Sequence, residues 1–212
     1  MRKWYPVLLI ALAFAISIVV YNRLPDPMPT HWNMHGEVDG YGSRLVGAFL
    51  MPLIMIAIAA LIPVLPKIDP RGRNYEKFDT TYFTIMNATI TLMLVIHVFA
   101  LAAALGLNIS VGGLVPAAVG LLLIVVGNLL PRVRPNWMVG IRNPWTLSSN
   151  RVWERAHRVG GYMMLALGVL LLLSGPLAPP MTTFVLTLGG VIAIGIGLTI
   201  YSYVLWRKEK GT

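Results

Sequence analysis

Four side chains able to bind a metal or move a proton fall within nine residues of one another: His31, His35, Glu37 and Asp39. Two imidazoles and two carboxylates are a donor set that zinc or manganese accepts. The His-x3-His spacing puts both rings on one side only in a helix. Gly36 and the prolines Pro25, Pro27 and Pro29 argue against a helix here. The bland expectation is a compact loop whose Asp, Asn and His side chains bond its own backbone, with a turn at Asp39-Gly40. Trp32 and Tyr41 then sit at the level of the lipid headgroups. No metal and no other cofactor is expected, and His31, Trp32, Asn33 and Asp39 stand as candidates for contact with a ligand or partner.

A second concentration of reactive residue types runs from Asn128 to Gly161. It holds six of the 17 basic residues, three of the six tryptophans, and Pro131, Pro135 and Pro144. The segment from Gly140 through Arg142, Pro144, Trp145 and Thr146 to Leu147 reads as fixed by turns. Ser148 or Ser149 can cap a following helix. In that helix Arg151, Arg155 and Arg158 make a basic stripe, Glu154 pairs with Arg158, and Trp153 and His157 share another face. Such a short amphipathic piece is expected to lie along the inner headgroups and run into the following span through Gly160-Gly161. The sequence contains no HExxH pair, no glycine-rich phosphate loop, no Ser-His-Asp arrangement and no cysteine, so the expectation is a protein that is not an enzyme.

The elements that must position these residues are membrane spans. The chain is 57% hydrophobic and 12% charged, against roughly 25% charged in soluble domains. Its mean hydropathy is +0.72. Apolar runs predict six spans: Trp4–Tyr21, Leu45–Leu65, Thr81–Leu105, Leu114–Leu130, Val159–Leu173 and Thr183–Trp206. The first follows Met-Arg-Lys but lacks a small-x-small cleavage site, so it is expected to be a retained helix. Pro52 and Pro63 are placed near the ends of the second. The fold class is therefore all-α, a polytopic membrane protein with six transmembrane helices. Of the 17 basic residues, 15 fall on one side of this arrangement and only Arg23 and Arg44 on the other. The positive-inside rule puts both termini in the cytoplasm. The charge of +9 is thereby assigned to lipid rather than to nucleic acid. One sizeable loop, 22–44, faces outward and a longer one, 131–158, faces the cytoplasm.

Within the spans, His97 is the one clear ionisable residue, and scarcity of such groups counts against ion-coupled transport. Thr84, Asn87 and Thr91 make a polar stripe on span three, with His97 off it. The favoured role for these residues is hydrogen bonding between helices. Gly189, Gly190, Gly195 and Gly197 in span six point to close packing or self-association.

The inner stretch carries a resemblance. Asn128-x-x-Pro131, Pro135-Asn136, Gly140-Ile141-Arg142-x-Pro144-Trp145-Thr146-Leu147, Val152-Trp153 and His157-Arg158-x-Gly160-Gly161 are similar to the signature of the SdpI family. The outer loop, Leu24-Pro25-x-Pro27-x-Pro29-x-His31-Trp32-Asn33 and Gly36-Glu37-x-Asp39-Gly40-Tyr41-Gly42, resembles the uncharacterised module that often precedes an SdpI domain. His35 departs from that module's pattern, which weakens the metal reading. The resemblance implies an N-terminal three-helix module over 1–110 and an SdpI-like three-helix module over 111–212. It implies immunity to a membrane-active toxin peptide on the outer side, and a cytoplasmic regulator, a repressor in the best-known relative, on the inner side. Candidate contact residues are Asn128, Pro131, Asn136, Gly140, Arg142, Pro144, Trp145, Thr146, Trp153 and His157, with the four of the outer loop.

Independently, Asn22-x-Leu24-Pro25-x3-Pro29-x2-Trp32 and Asn128-x-Leu130-Pro131-x3-Pro135-x-Trp137 nearly match. Spans one to three and four to six then form a candidate 3+3 inverted repeat, and a small transporter or channel is the alternative function. A metal-dependent membrane enzyme using the outer-loop residues ranks third.

Overall fold

The computed structural model describes residues 4–211; Arg2 and Lys3, counted above as flanking charges, lie outside the described residues. Six helices are long and apolar enough to cross a membrane. In chain order they are α1 (Tyr5–Val20), α2 (Arg44–Leu61), α4 (Asp79–Ala104), α5 (Val111–Leu129), α7 (Asn150–Leu177) and α8 (Pro180–Lys210). Two short helices, α3 (Leu65–Ile68) and α6 (Pro144–Ser148), sit in the connections at the basic end. Between α1 and α2 the chain forms an antiparallel hairpin of β1 (Met28–Trp32) and β2 (Val38–Gly42).

Helices α1, α2 and α4 pack on one another, as do α5, α7 and α8, and α4 against α5 joins the two sets. In the first set Ala13, Met55, Ile90 and Leu94 form the core. His97 ties the set together. Its Nε2 lies 2.8 Å from the Ser17 hydroxyl, which itself donates to the Ala48 carbonyl at 2.7 Å. With the serine proton committed to Ala48, His97 is the donor of the pair, so one chain of hydrogen bonds joins α4, α1 and α2. The polar stripe Thr84, Asn87 and Thr91 faces elsewhere, toward α5, with Thr91 held 3.0 Å from the Tyr5 hydroxyl.

In the second set the seam is glycine. Gly113, Gly120 and Gly127 of α5 meet Gly175, Gly168 and Gly161 of α7, all at seven-residue spacing on antiparallel helices. A Cβ on Gly113, Gly120 or Gly127 would come within 2.3–2.6 Å of the facing glycine carbonyl, so the two backbones are in contact. In lipid such approach replaces the hydrophobic drive that water would supply.

Several expectations need correction. Pro52 lies inside α2, buried, rather than near its end. The turn of the hairpin is at Asn33–Glu37, where Gly36 has φ +79°, and Asp39-Gly40 belongs to β2. The amphipathic piece does continue into span five through Gly160 and Gly161, as expected, but as one unbroken helix α7 from Asn150 rather than as a short helix lying along the headgroups. Glu154 sits 3.7 Å from Arg134, across the loop, in place of the expected Arg158. Of the span-six glycines, Gly189 and Gly195 face open space and make no tight packing within the chain. The inverted repeat is not established: both strings hold a 3-10 turn (Tyr21–Arg23 and Leu130–Arg132), but the first leads into the β-hairpin and the second into an irregular loop.

Candidate functional site

Two constructions hold the halves of the molecule together, one at each end of the bundle. At the basic end the organising residue is Asn136, fully buried. Its amide Nδ2 donates to the carbonyls of Arg134 and Val139 at 2.8 and 2.9 Å. Its Oδ1 accepts from the backbone N–H of Met138 and Val139 at 2.9 and 2.6 Å. The amide thus satisfies a turn that has no ladder of its own to join. Asp69, from the connection after α3, reaches the same turn. Its carboxylate accepts from the backbone N–H of Arg71 (2.7 Å) and of Trp137 (2.9 Å) and from the Tyr75 hydroxyl (3.0 Å). Burial, and then the hydrogen bond and charge of Asp69, push the Tyr75 phenol well above its usual range, so it remains a donor. Asn74 Nδ2 donates to the Pro135 carbonyl at 2.7 Å, and Arg71 Nη2 to that of Leu147 at 3.0 Å. The short connection of the first half is therefore bonded throughout to the long loop of the second.

The loop is fastened to α7 by Trp153 and His157, both buried and stacked with centroids 4.0 Å apart. Trp153 Nε1 donates to the Val133 carbonyl at 2.8 Å. His157 Nε2 accepts from the Ile141 N–H at 3.1 Å, and its Nδ1 lies 2.8 Å from the Trp153 carbonyl. A carbonyl can only accept, so the proton is on Nδ1 and the ring is neutral. Gly140, at φ +114°, leaves room for that ring: a Cβ there would meet Nε2 at 2.4 Å. Asn143 and Thr146 make a reciprocal capping box on α6, and Asn143 Nδ2 reaches Ser202 of α8 at 2.8 Å.

Most of the inner candidate residues are thus brought together, in a scaffold. Asn136, Thr146, Trp153 and His157 are buried within it, Gly140 is partly buried, and Pro131 packs on Gly161. Trp145 is half-buried against Tyr203, with centroids 5.2 Å apart. Arg142 and Pro144 are exposed at its surface; Asn128 is exposed near the end of α5, outside the network. Asp69, Asn74 and Tyr75 are essential partners that the sequence reading passed over. Their signal was an acid followed at once by the turn-forming Pro70, in a basic connection that also holds Glu76 and Asp79.

At the opposite end the hairpin closes over the other half. Asn33 builds its turn, with Oδ1 accepting from the N–H of His35 (2.8 Å) and Glu37 (3.1 Å). The tip at Gly36 rests on Gly112 of α5 and Pro180 of α8, close enough that a Cβ would lie 3.2 Å from the proline ring. Beneath it is a cavity of about 330 Å³. His31, Trp32 and Asn33 line it from the hairpin, and Ile96, Pro116 and Phe184 from three helices. Asp39, exposed, pairs with His31 Nδ1. Among the described residues no three His, Asp or Glu side chains gather closely enough to hold a metal ion. The cavity instead offers an apolar floor with aromatic and amide edges, a surface for an amphipathic ligand.

Two family models match separate stretches of the chain. Residues 8–56 match a domain of unknown function (DUF1648). Residues 132–202 match the SdpI/YfhL protein family. The "Immunity protein SdpI" of Bacillus subtilis (strain 168) is 22% identical over 206 residues, 97% of this chain and 96% of that protein. The "Uncharacterized membrane protein YbgB" of the same organism is 36% identical over 47 residues, 22% of this chain and 52% of that protein. No solved structure matches the chain. With six helices able to span, a hairpin in the first matched region and the Asn136–His157 scaffold in the second, the chain is a multi-pass membrane protein similar to the SdpI/YfhL family over residues 132–202.

Proposed function

We propose that this chain is a membrane immunity protein, protecting a bacterial cell against a membrane-active toxin peptide that it meets at the hairpin end. The observation that carries the proposal is the end-to-end similarity to the Immunity protein SdpI, which includes both the hairpin and the basic scaffold. The geometry supports it: the cavity under the hairpin is lined by both Trp32 and Phe184, and in this reading the hairpin end faces outward. Aromatic anchors of this kind dominate recognition surfaces. In this reading the basic end is cytoplasmic, and exposed Trp137 with Arg134, Arg151 and Arg155 form the face offered to a cytoplasmic regulator.

The test is expression in a sensitive bacterium challenged with a panel of membrane-active peptides. Wild-type protein raises the tolerated dose of at least one peptide, and Trp32→Ala or Phe184→Ala removes most of that protection at equal membrane abundance. Unchanged sensitivity across the panel, with the protein present in the membrane, overturns the reading. Recruitment of a regulator is tested by pull-down with Trp137→Ala against wild type.

A further inference from the structure

We propose that the cleft between α5, α7 and α8 at the basic end is a binding site for one anionic phospholipid, its phosphate on Arg142 and an acyl chain beside Gly195. The cleft encloses about 320 Å³, and its walls are apolar, with Leu123, Leu167, Ile194 and Leu198 contributed by the three helices. It stays open along α8 because Gly195 has no side chain; a Cβ there would meet nothing within 4 Å.

The polar lining narrows the choice of ligand. Asn143 is committed to Thr146 and Ser202. The Thr199 hydroxyl donates to its own helix, at the Gly195 carbonyl. Arg142 is the one charged residue on the wall. Its Nη1 donates to the Trp137 carbonyl at 3.0 Å and its Nε lies 3.4 Å from the Gly140 carbonyl, while Nη2 makes no hydrogen bond among the described residues. A guanidinium steadied on one edge and open on the other presents donors to a phosphate. An apolar slot at the depth of the bilayer, rimmed by such a group, selects an amphiphile with an anionic head. A soluble anion leaves the slot empty, and a zwitterionic lipid brings a second cation to the rim. Arg151, Arg155 and Arg207 are exposed at the same end and attract anionic lipid without binding it at a defined place. A test therefore has to separate the cleft from this general attraction.

Full-length protein is purified in micelles and given phosphatidylglycerol, phosphatidylcholine with the same acyl chains, or glycerol 3-phosphate. Native mass spectrometry counts retained molecules and thermal unfolding reports stabilisation. The expected result is one tightly retained phosphatidylglycerol per chain, weaker retention of phosphatidylcholine, and no effect of glycerol 3-phosphate. Arg142→Gln weakens phosphatidylglycerol about tenfold and phosphatidylcholine less, so that the preference between the two lipids shrinks. Gly195→Leu, which has room to fold, abolishes the tight retention of phosphatidylglycerol. Arg207→Gln with Lys208→Gln leaves the tight site intact. Equal retention of the two lipids by the wild type overturns the proposal. So does binding of glycerol 3-phosphate as strong as that of the lipid, unchanged phosphatidylglycerol affinity in Arg142→Gln or Gly195→Leu, or a loss confined to the Arg207 and Lys208 variant.

Discussion

Asn136 makes four hydrogen bonds to backbone groups that have no regular secondary structure to satisfy them. An aspartate of the same shape keeps the two acceptor functions and loses both donors, and it sets a charge against the carbonyls of Arg134 and Val139. Asn136→Asp is therefore expected to destabilise the protein nearly as much as Asn136→Ala, by about 3 kcal/mol. The midpoint of unfolding in mixed micelles measures this; equal stability of Asp and Asn at this position would mean the amide donors are unimportant. Residues of this kind were legible as important in the sequence, since Asn136, Gly140 and His157 all stood out, but their role was not. A polar residue between prolines reads equally well as a contact for a partner or as an internal strut. Only its burial decides, and burial depends on Asp69 and Tyr75, more than sixty residues away in the chain.

At the scale of elements, apolar runs located all six spans, because the bilayer requires that length of apolar helix. Ends were less legible. The start of α7 carries three arginines, so hydropathy placed its beginning near Val159, whereas burial of Trp153 and His157 under the loop lets the same helix begin at Asn150. Polarity marks the depth of the lipid rather than the end of a helix. The α5–α7 seam is also written in the sequence, as glycines every seven residues in both helices, but that spacing does not say which helix the glycines face. The seam makes a direct prediction. Gly120→Ala puts a methyl group about 2.6 Å from the Gly168 carbonyl and is expected to cost about 2 kcal/mol. Gly189→Ala, which meets nothing within 4 Å, is expected to be neutral or slightly stabilising. Unfolding midpoints of the two variants in micelles check the contrast.

At the scale of the whole molecule, the two halves are locked at both ends: Gly36 of the hairpin on Gly112 and Pro180, and Asp69 on the Trp137 turn. The basic residues gather at one of those ends, which sets an expected orientation. The chain has no cysteine, so single cysteines report it cleanly. Met34→Cys, at the hairpin tip, is expected to react with an impermeant maleimide on intact cells, and Arg73→Cys only after permeabilisation; the reverse pattern would invert the topology. The glycine seam has a further consequence, concerning register rather than closeness. Because its three contacts repeat every seven residues on antiparallel helices, sliding α7 by one heptad, about 10 Å, keeps two of the three glycine pairs. The seam alone is nearly degenerate between such alignments. The bonds from Trp153 to Val133 and from His157 to Ile141 exist in only one of them. The loop thus acts as a vernier for the helix pair, and loss of His157 is expected to populate a slipped alignment that is still tightly packed.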